Sequence, residues 1–346
     1  MDKAYFKLHD FLCFSIEGEG SRLAKFIKEF EFYRVTEPVQ SPDVAIVLAD
    51  FRYHPGKNAR TVNKKFIVDD DAVFAEDGYK VARWKVRISG LESETTTVQL
   101  YGNKPTNIIA ARWFCETIIR LKMTLAGFPM VHSSCLCDGK RGAVMAASPS
   151  TGKTTTLLSW LEKGNPFCCD EYSILDQGKV HSYVTPFRFH AHNLDMNPML
   201  ERLPERDRRQ IRMRTALLKA TGGYADVTWD IGIGTAFPDV AVVDHCETAG
   251  LFVLTRAEVD HVTFVERSTE ELVRMMQTIN SFEWRGFEPY MRAWSYGHPG
   301  GRIAEFSKIE HDHMLRIAEN TRVGEILIPS TFRSTTYNEL IEVLGV

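Results

Sequence analysis

Residues Ala147-Ser148-Pro149-Ser150-Thr151-Gly152-Lys153-Thr154 constrain this 346-residue chain more than any other stretch. An apolar run, residues 142–146, enters the segment like a buried strand, and a helix-compatible run, residues 154–163, leaves it. A Gly-Lys-Thr triplet alone recurs by chance. Set between a strand and a helix, it predicts a loop that cradles a nucleoside triphosphate. Backbone N–H groups ahead of a helix N-terminus point into one concavity, and the helix dipole there favours negative charge. The expected nucleotide contacts are Ser148, Pro149, Ser150, Thr151, Gly152, Lys153, Thr154 and Thr155. Lys153 is expected to reach the β- and γ-phosphates and Thr154 to offer its hydroxyl to Mg²⁺, while Gly152 lets the backbone approach closely. Ala147 stands where such loops usually have their first glycine. Alanine does not readily take positive φ, so the loop must turn differently or bear strain. The plainer reading is a Gly-Lys turn that opens a helix and holds no ligand.

Length suggests about two domains. Hydrophobic content of 44% and charged content of 25% are ordinary for a globular chain. Nothing approaches the roughly 20 consecutive apolar residues of a membrane span, and the first residues lack the pattern of a signal peptide. The expectation is a cytoplasmic protein. A formal net charge of −3 argues against a general nucleic-acid binder. Seven cysteines are spread along the chain. Cys135 and Cys137 alternate along a strand-like run and Cys168-Cys169 has no spacer, so neither pair has zinc-knuckle spacing; buried free thiols are the expectation.

Residues 1–105 read as an α+β accessory domain: strand-like apolar content over residues 5–17, a helix over 21–32, a short strand over 44–49, then strands over 64–68, 79–88 and 95–101. Gly102-Asn103-Lys104-Pro105 marks the boundary, and residues 106–346 form the second domain. One long amphipathic helix is expected over 107–126. Strand, loop, helix and strand follow from Met130, with short strands at 167–170 and 172–175. A helical, arginine-rich insert spans 198–220; strands at 251–254 and 262–265, a helix at 269–280, a strand at 323–328 and a helix at 337–344 complete the reading.

The loop has companions. His132-Ser133-Ser134 starts a strand upstream, Asp138-Gly139-Lys140 reads as a hairpin turn before the loop, and the acidic pair Asp170-Glu171 ends the next apolar segment. Over residues 132–175 this order resembles the catalytic domain of the HPr kinase/phosphorylase family, an α/β P-loop architecture shared with phosphoenolpyruvate carboxykinase. The resemblance implies an ATP- and Mg²⁺-dependent kinase. Asp170 would be the carboxylate near the attacking hydroxyl, Glu171 a metal or water ligand, and His132 a neighbour of the γ-phosphate. It also implies a homo-oligomer. Ala147 replaces a glycine, Glu171 stands for a second aspartate, and the Arg-Gly-Leu-Gly segment that follows the acidic pair in HPr kinases has no counterpart here. The implied acceptor is therefore a hydroxyl of a peptide, protein or small molecule, with neither nucleic acid nor membrane as partner.

The residues support similar roles without the family. Phosphoryl transfer needs alignment and cations, with a carboxylate in reach of the acceptor hydroxyl. A solvated turn is the plainer reading of the acidic pair, and a hydrogen-bonded core histidine that of His132. Arg188, His190 and His192 alternate at period two, which puts them on one face of an extended segment. They make either a phosphate- or carboxylate-binding stripe or an exposed strand face. Arg202, Arg206, Arg208, Arg209, Arg212 and Arg214 read first as a solvated helix face, and otherwise as a lid or docking surface between glycine hinges. Arg256 is a candidate phosphate contact. The other functions left open are a nucleotide-binding switch without transfer and a carboxykinase-like enzyme.

Overall fold

The computed structural model describes residues 1–149, 151–189, 191, 194, 201–224, 229–331 and 334–346. It is a mixed α/β protein with large mixed sheets. The chain divides into two compact units, Met1–Gly127 with Glu283–Glu310, and Phe128–Phe282 with His311–Val346. No described helix is long and apolar enough to cross a membrane.

The first unit is built on a nine-stranded sheet in the order β3-β1-β2-β4-β9-β8-β7-β6-β5. Its strands are β1 (Asp2–Leu8), β2 (Leu12–Gly18), β3 (Arg34–Val35), β4 (Val44–Val47), β5 (Arg60–Val62), β6 (Phe66–Val68), β7 (Ala72–Tyr79), β8 (Ala82–Ser89) and β9 (Thr96–Gly102). Alternate residues of β8 and β9 are buried, as expected of strands with one covered face. Helix α1 (Gly20–Phe30) buries Leu23, Phe26 and Phe30, and Phe30 meets the stacked Phe6–Phe14 pair edge-on. The run expected as one amphipathic helix is α2 (Thr106–Ala110), a π-helical segment (Ala111–Glu116) and α3 (Thr117–Leu125). Its last part is covered all round: in α3 every residue but Lys122 is buried. Arg120 is buried too, its guanidinium 4.4 Å from the Trp284 ring, which supplies a cation–π partner where water cannot reach.

The second unit is arranged around β10 (Met130–Cys137), β11 (Arg141–Ala147) and β17 (His245–Ala257). β10 and β11 form an antiparallel hairpin. Its turn is the expected one: Gly139 has φ 100°, and the Asp138 carboxylate accepts the Lys140 and Arg141 N–H groups at 2.7 Å each. β11 runs parallel to β17, and β17 parallel to β19 (Val323–Pro329), edged by β18 (Thr263–Val265). On the other side β10 pairs with β12 (Phe167–Cys169) and β13 (Tyr172–Asp176), and β13 leads through β14 (Lys179–His181) back to β17. These pairings close a ring of five strands. All of β10 and all of β11 after Arg141 are buried, as strands covered on both faces must be.

Helix α4 (Lys153–Glu162) leaves the loop after β11 and ends at Gly164, whose φ of 81° and N–H bond to the Leu161 carbonyl stop it. Helix α7 (Thr269–Trp284) starts with a capping box. The Ser268 hydroxyl accepts the Glu271 N–H, and the Glu271 carboxylate accepts the Ser268 N–H. Asn280 of α7, fully buried, accepts the His132 N–H at 2.8 Å and donates to the Met130 carbonyl at 3.1 Å, which ties the helix to β10. Helix α5 (Glu205–Ala220) shows mostly exposed residues, Ile211 being buried. Arg206, Arg209 and Arg212 are exposed on it, and Arg208 and Arg214 are half-buried. Arg214 lies 4.7 Å over Trp229, on the short β16 (Trp229–Ile231), and Asp207 accepts the Trp229 indole N–H.

Candidate functional site

β11 ends at Ala147, which keeps an ordinary negative φ. Of the two options for this departure, the loop turns differently and Ala147 bears no strain. The turn is closed instead by Thr151, whose N–H and hydroxyl both bond to the Ser148 carbonyl, at 3.3 and 2.7 Å. Gly152 then takes φ 114° and starts the helix, a conformation that a side chain would strain. Its carbonyl accepts the first intrahelical bond from Thr156 N–H at 2.9 Å and the Thr156 hydroxyl at 3.1 Å. Ser148 and Pro149 are exposed, Thr151 and Lys153 are buried, and Thr154 and Thr155 are half-buried. Ser150 lies outside the described residues.

Facing the start of α4 is Asp170, at the end of β12. Ser134 on β10 donates to Asp170 Oδ1 at 2.6 Å, and Thr154 Oγ1 lies 3.3 Å from each carboxylate oxygen. The carboxyl is pushed up to about 6: first by burial, then by the Glu171 charge, against the opposing influence of Lys153 and the Ser134 and Thr154 hydroxyls. The loop lysine, the loop threonine and the expected acid therefore share one site.

Glu171, the second acid of the pair, meets an arginine. Its Oε1 lies 3.2 Å from Nη1 of Arg188, on β15 (Phe187–Phe189), and Arg188 Nε lies 3.6 Å from Asp230 of β16. Glu171, the residue after Asp170, thus anchors this arginine, and Phe187 and Phe189 are buried on the other face of the strand. The alternation predicted for this segment is seen at Arg188; His190 and His192 fall outside the described residues. His132 is buried on the same face of β10 as Ser134, edge-on to Tyr172 at 5.6 Å.

Arg256, at the C-terminal end of β17, donates from Nε to the Thr151 carbonyl at 3.3 Å and from Nη1 to the Ser330 carbonyl at 2.8 Å, which puts it against the loop. Beside it opens a cleft of about 320 Å³. Ser148, Thr151 and Arg256 are among its polar lining residues, and Val253, Met275 and Ile279 among its apolar ones. Two residues important to this geometry had been given no role in the sequence. Ser134 shares a strand face with His132 by simple alternation, a signal that was legible. Asn280 had none, because its partners lie about 150 positions away.

The oxygen donors Thr154 Oγ1 and Asp170 suit a hard cation such as Mg²⁺. Lys153 and the opening of α4 suit an anion next to it. No family model matches the chain, and no curated protein matches it.

Proposed function

We propose that the chain is an ATP- and Mg²⁺-dependent kinase of the HPr-kinase-like P-loop type, which transfers the γ-phosphoryl group to a hydroxyl of a peptide, protein or small molecule. The observation that supports this best is the Asp170 carboxylate, held by Ser134 at 2.6 Å and beside the Thr154 hydroxyl at 3.3 Å, within the influence of Lys153.

In this reading the loop amides and Lys153 bind the triphosphate, and the apolar lining of the 320 Å³ cleft takes the nucleoside. Mg²⁺, held by the Thr154 hydroxyl, would neutralise charge on the phosphate oxygens. Asp170 accepts the proton of the acceptor hydroxyl as its oxygen bonds to the γ-phosphorus; the bond to the β,γ-bridging oxygen breaks, and ADP leaves with Lys153 against its new charge. Arg188, fixed between Glu171 and Asp230, presents a cation to the acceptor or the transferring group. His132 sits behind the acid on the same strand face.

The Asp170→Asn variant tests the assignment. Nucleotide affinity should stay within a few-fold of wild type while transfer falls by at least about 100-fold, the usual weight of a general base. A variant that transfers normally removes Asp170 from the chemistry. Unchanged cellular function with transfer undetectable in both proteins would indicate a nucleotide-binding switch instead.

A further inference from the structure

Behind the sheet, on the face away from Asp170, sulfur atoms from three strands converge. Cys135 and Cys137 lie on β10, Cys168 and Cys169 on β12 and Cys246 on β17, and all five are buried. The sulfurs of Cys135, Cys168 and Cys169 lie within 4.8 Å of one another, and Cys246 Sγ is 4.0 Å from Cys135 Sγ. Adjacent residues on a regular strand point to opposite faces. Cys168 and Cys169 both reach Cys135 because the β10–β12 register slips between Cys135 and Leu136. A fourth strand, β11, contributes an absence of side chain. A Cβ at Gly142 would stand 2.5 Å from Cys246 Sγ and 2.6 Å from Cys135 Sγ, so only glycine leaves the sulfurs this room.

The geometry points to a structural metal site, in which Cys135, Cys168 and Cys169, with Cys246 as fourth ligand, bind a soft d¹⁰ cation of the zinc type as thiolates. Zinc–sulfur bonds of about 2.3 Å put tetrahedral sulfurs about 3.8 Å apart. The spacings among Cys135, Cys168 and Cys169 reach that value with shifts of about half an ångström per sulfur, and Cys246 already stands 4.0 Å from Cys135. A hydroxyl able to donate a hydrogen bond already faces one ligand: Ser173 Oγ lies 3.0 Å from Cys169 Sγ. Such a donor disperses the negative charge of a thiolate centre in an apolar surround. Motif spacing could not have suggested this site, because three strands of non-local sequence assemble it.

The location gives the metal a purpose. Cys135 follows Ser134, and Cys169 precedes Asp170. A cation joining the two cysteines fixes from behind the strand pair whose other face holds the Ser134–Asp170 hydrogen bond. The metal site stands whether or not the kinase assignment does.

Full-length protein purified anaerobically from zinc-supplemented medium, without chelator, should retain stoichiometric zinc through desalting. Replacement by Co²⁺ should give the red-region d–d bands and sulfur-to-cobalt charge transfer of a tetrahedral thiolate centre. Cys135→Ser and Cys168→Ser should abolish both signals, and Cys13→Ser, in the first unit, should leave them. If the serine variants fail to fold, metal content and the cobalt spectrum of the wild type decide alone. Wild-type protein that retains neither metal and releases seven titratable thiols on unfolding would overturn the proposal. So would a Cys135–Cys246 disulfide in protein never exposed to oxidant.

Discussion

Asp170 holds its proton unusually tightly for a carboxyl. With the group pushed up to about 6, the folded chain takes up a proton between that value and the ordinary 3.8. The fold therefore gains stability as pH falls through this window and loses it as pH rises. At neutral pH the carboxylate is ionised at a cost, so Asp170→Asn should stabilise the nucleotide-free protein by on the order of 1 kcal/mol. Transfer, by contrast, needs the ionised form. Its rate should fall about tenfold per pH unit below about 6. Ser134→Ala removes a hydrogen bond that favours the carboxylate, so its acid limb should lie at higher pH than that of the wild type. A pH–rate profile of the two proteins checks this; coincident limbs would detach Ser134 from the acid. Gly152→Ala forces a side chain to φ 114° and should cost about 1–3 kcal/mol, seen as a lower unfolding midpoint together with weaker ATP binding.

Among the elements, α7 and the end of β17 form the wall of the cleft by the loop. Ile279→Trp should fill that space and raise the KM for ATP about tenfold or more, while affinity for inorganic tripolyphosphate stays unchanged. Equal loss for both ligands would place the nucleoside elsewhere. The elements around the loop were legible for local reasons. The β10–β11 hairpin has a turn that Asp138 and Gly139 dictate, and α4 has a glycine at each end. Among the described residues three helices went unread, the one-turn α6 (Ile233–Ala236), α8 (Glu288–Gly297) and α9 (Phe306–Ala318). Pro289 follows the start of α8 and Gly297 is its last residue, but its apolar positions are mostly aromatic and irregularly spaced. Strands β14 and β16, three residues each, are too short to show a period; pairing to β17 and β15 makes them strands. The site was legible where chemistry lies in one segment, as at Lys153, Thr154 and Asp170. It was not where partners are remote, as with Glu171, Arg188 and Asp230, or with the five sulfurs.

At the scale of the whole molecule, function should appear as ligand-linked stability. Mg²⁺–ATP at 100 times its dissociation constant should stabilise the protein by about 2.7 kcal/mol, and hydrogen exchange should slow at residues 148–154 and along α4. Lys153→Met should remove both effects; an unaltered thermal shift in that variant would mean that ATP binds away from the loop. The most direct measurement of the central claim is incubation of the purified chain with γ-labelled ATP, Mg²⁺ and a cell extract, with mass spectrometry of whatever becomes labelled. The account predicts a phosphate ester on a serine, threonine or small-molecule hydroxyl, absent with Asp170→Asn and with Lys153→Met. Labelled product formed equally by the Asp170→Asn protein, or ATP bound without any phosphate ester formed, would contradict it.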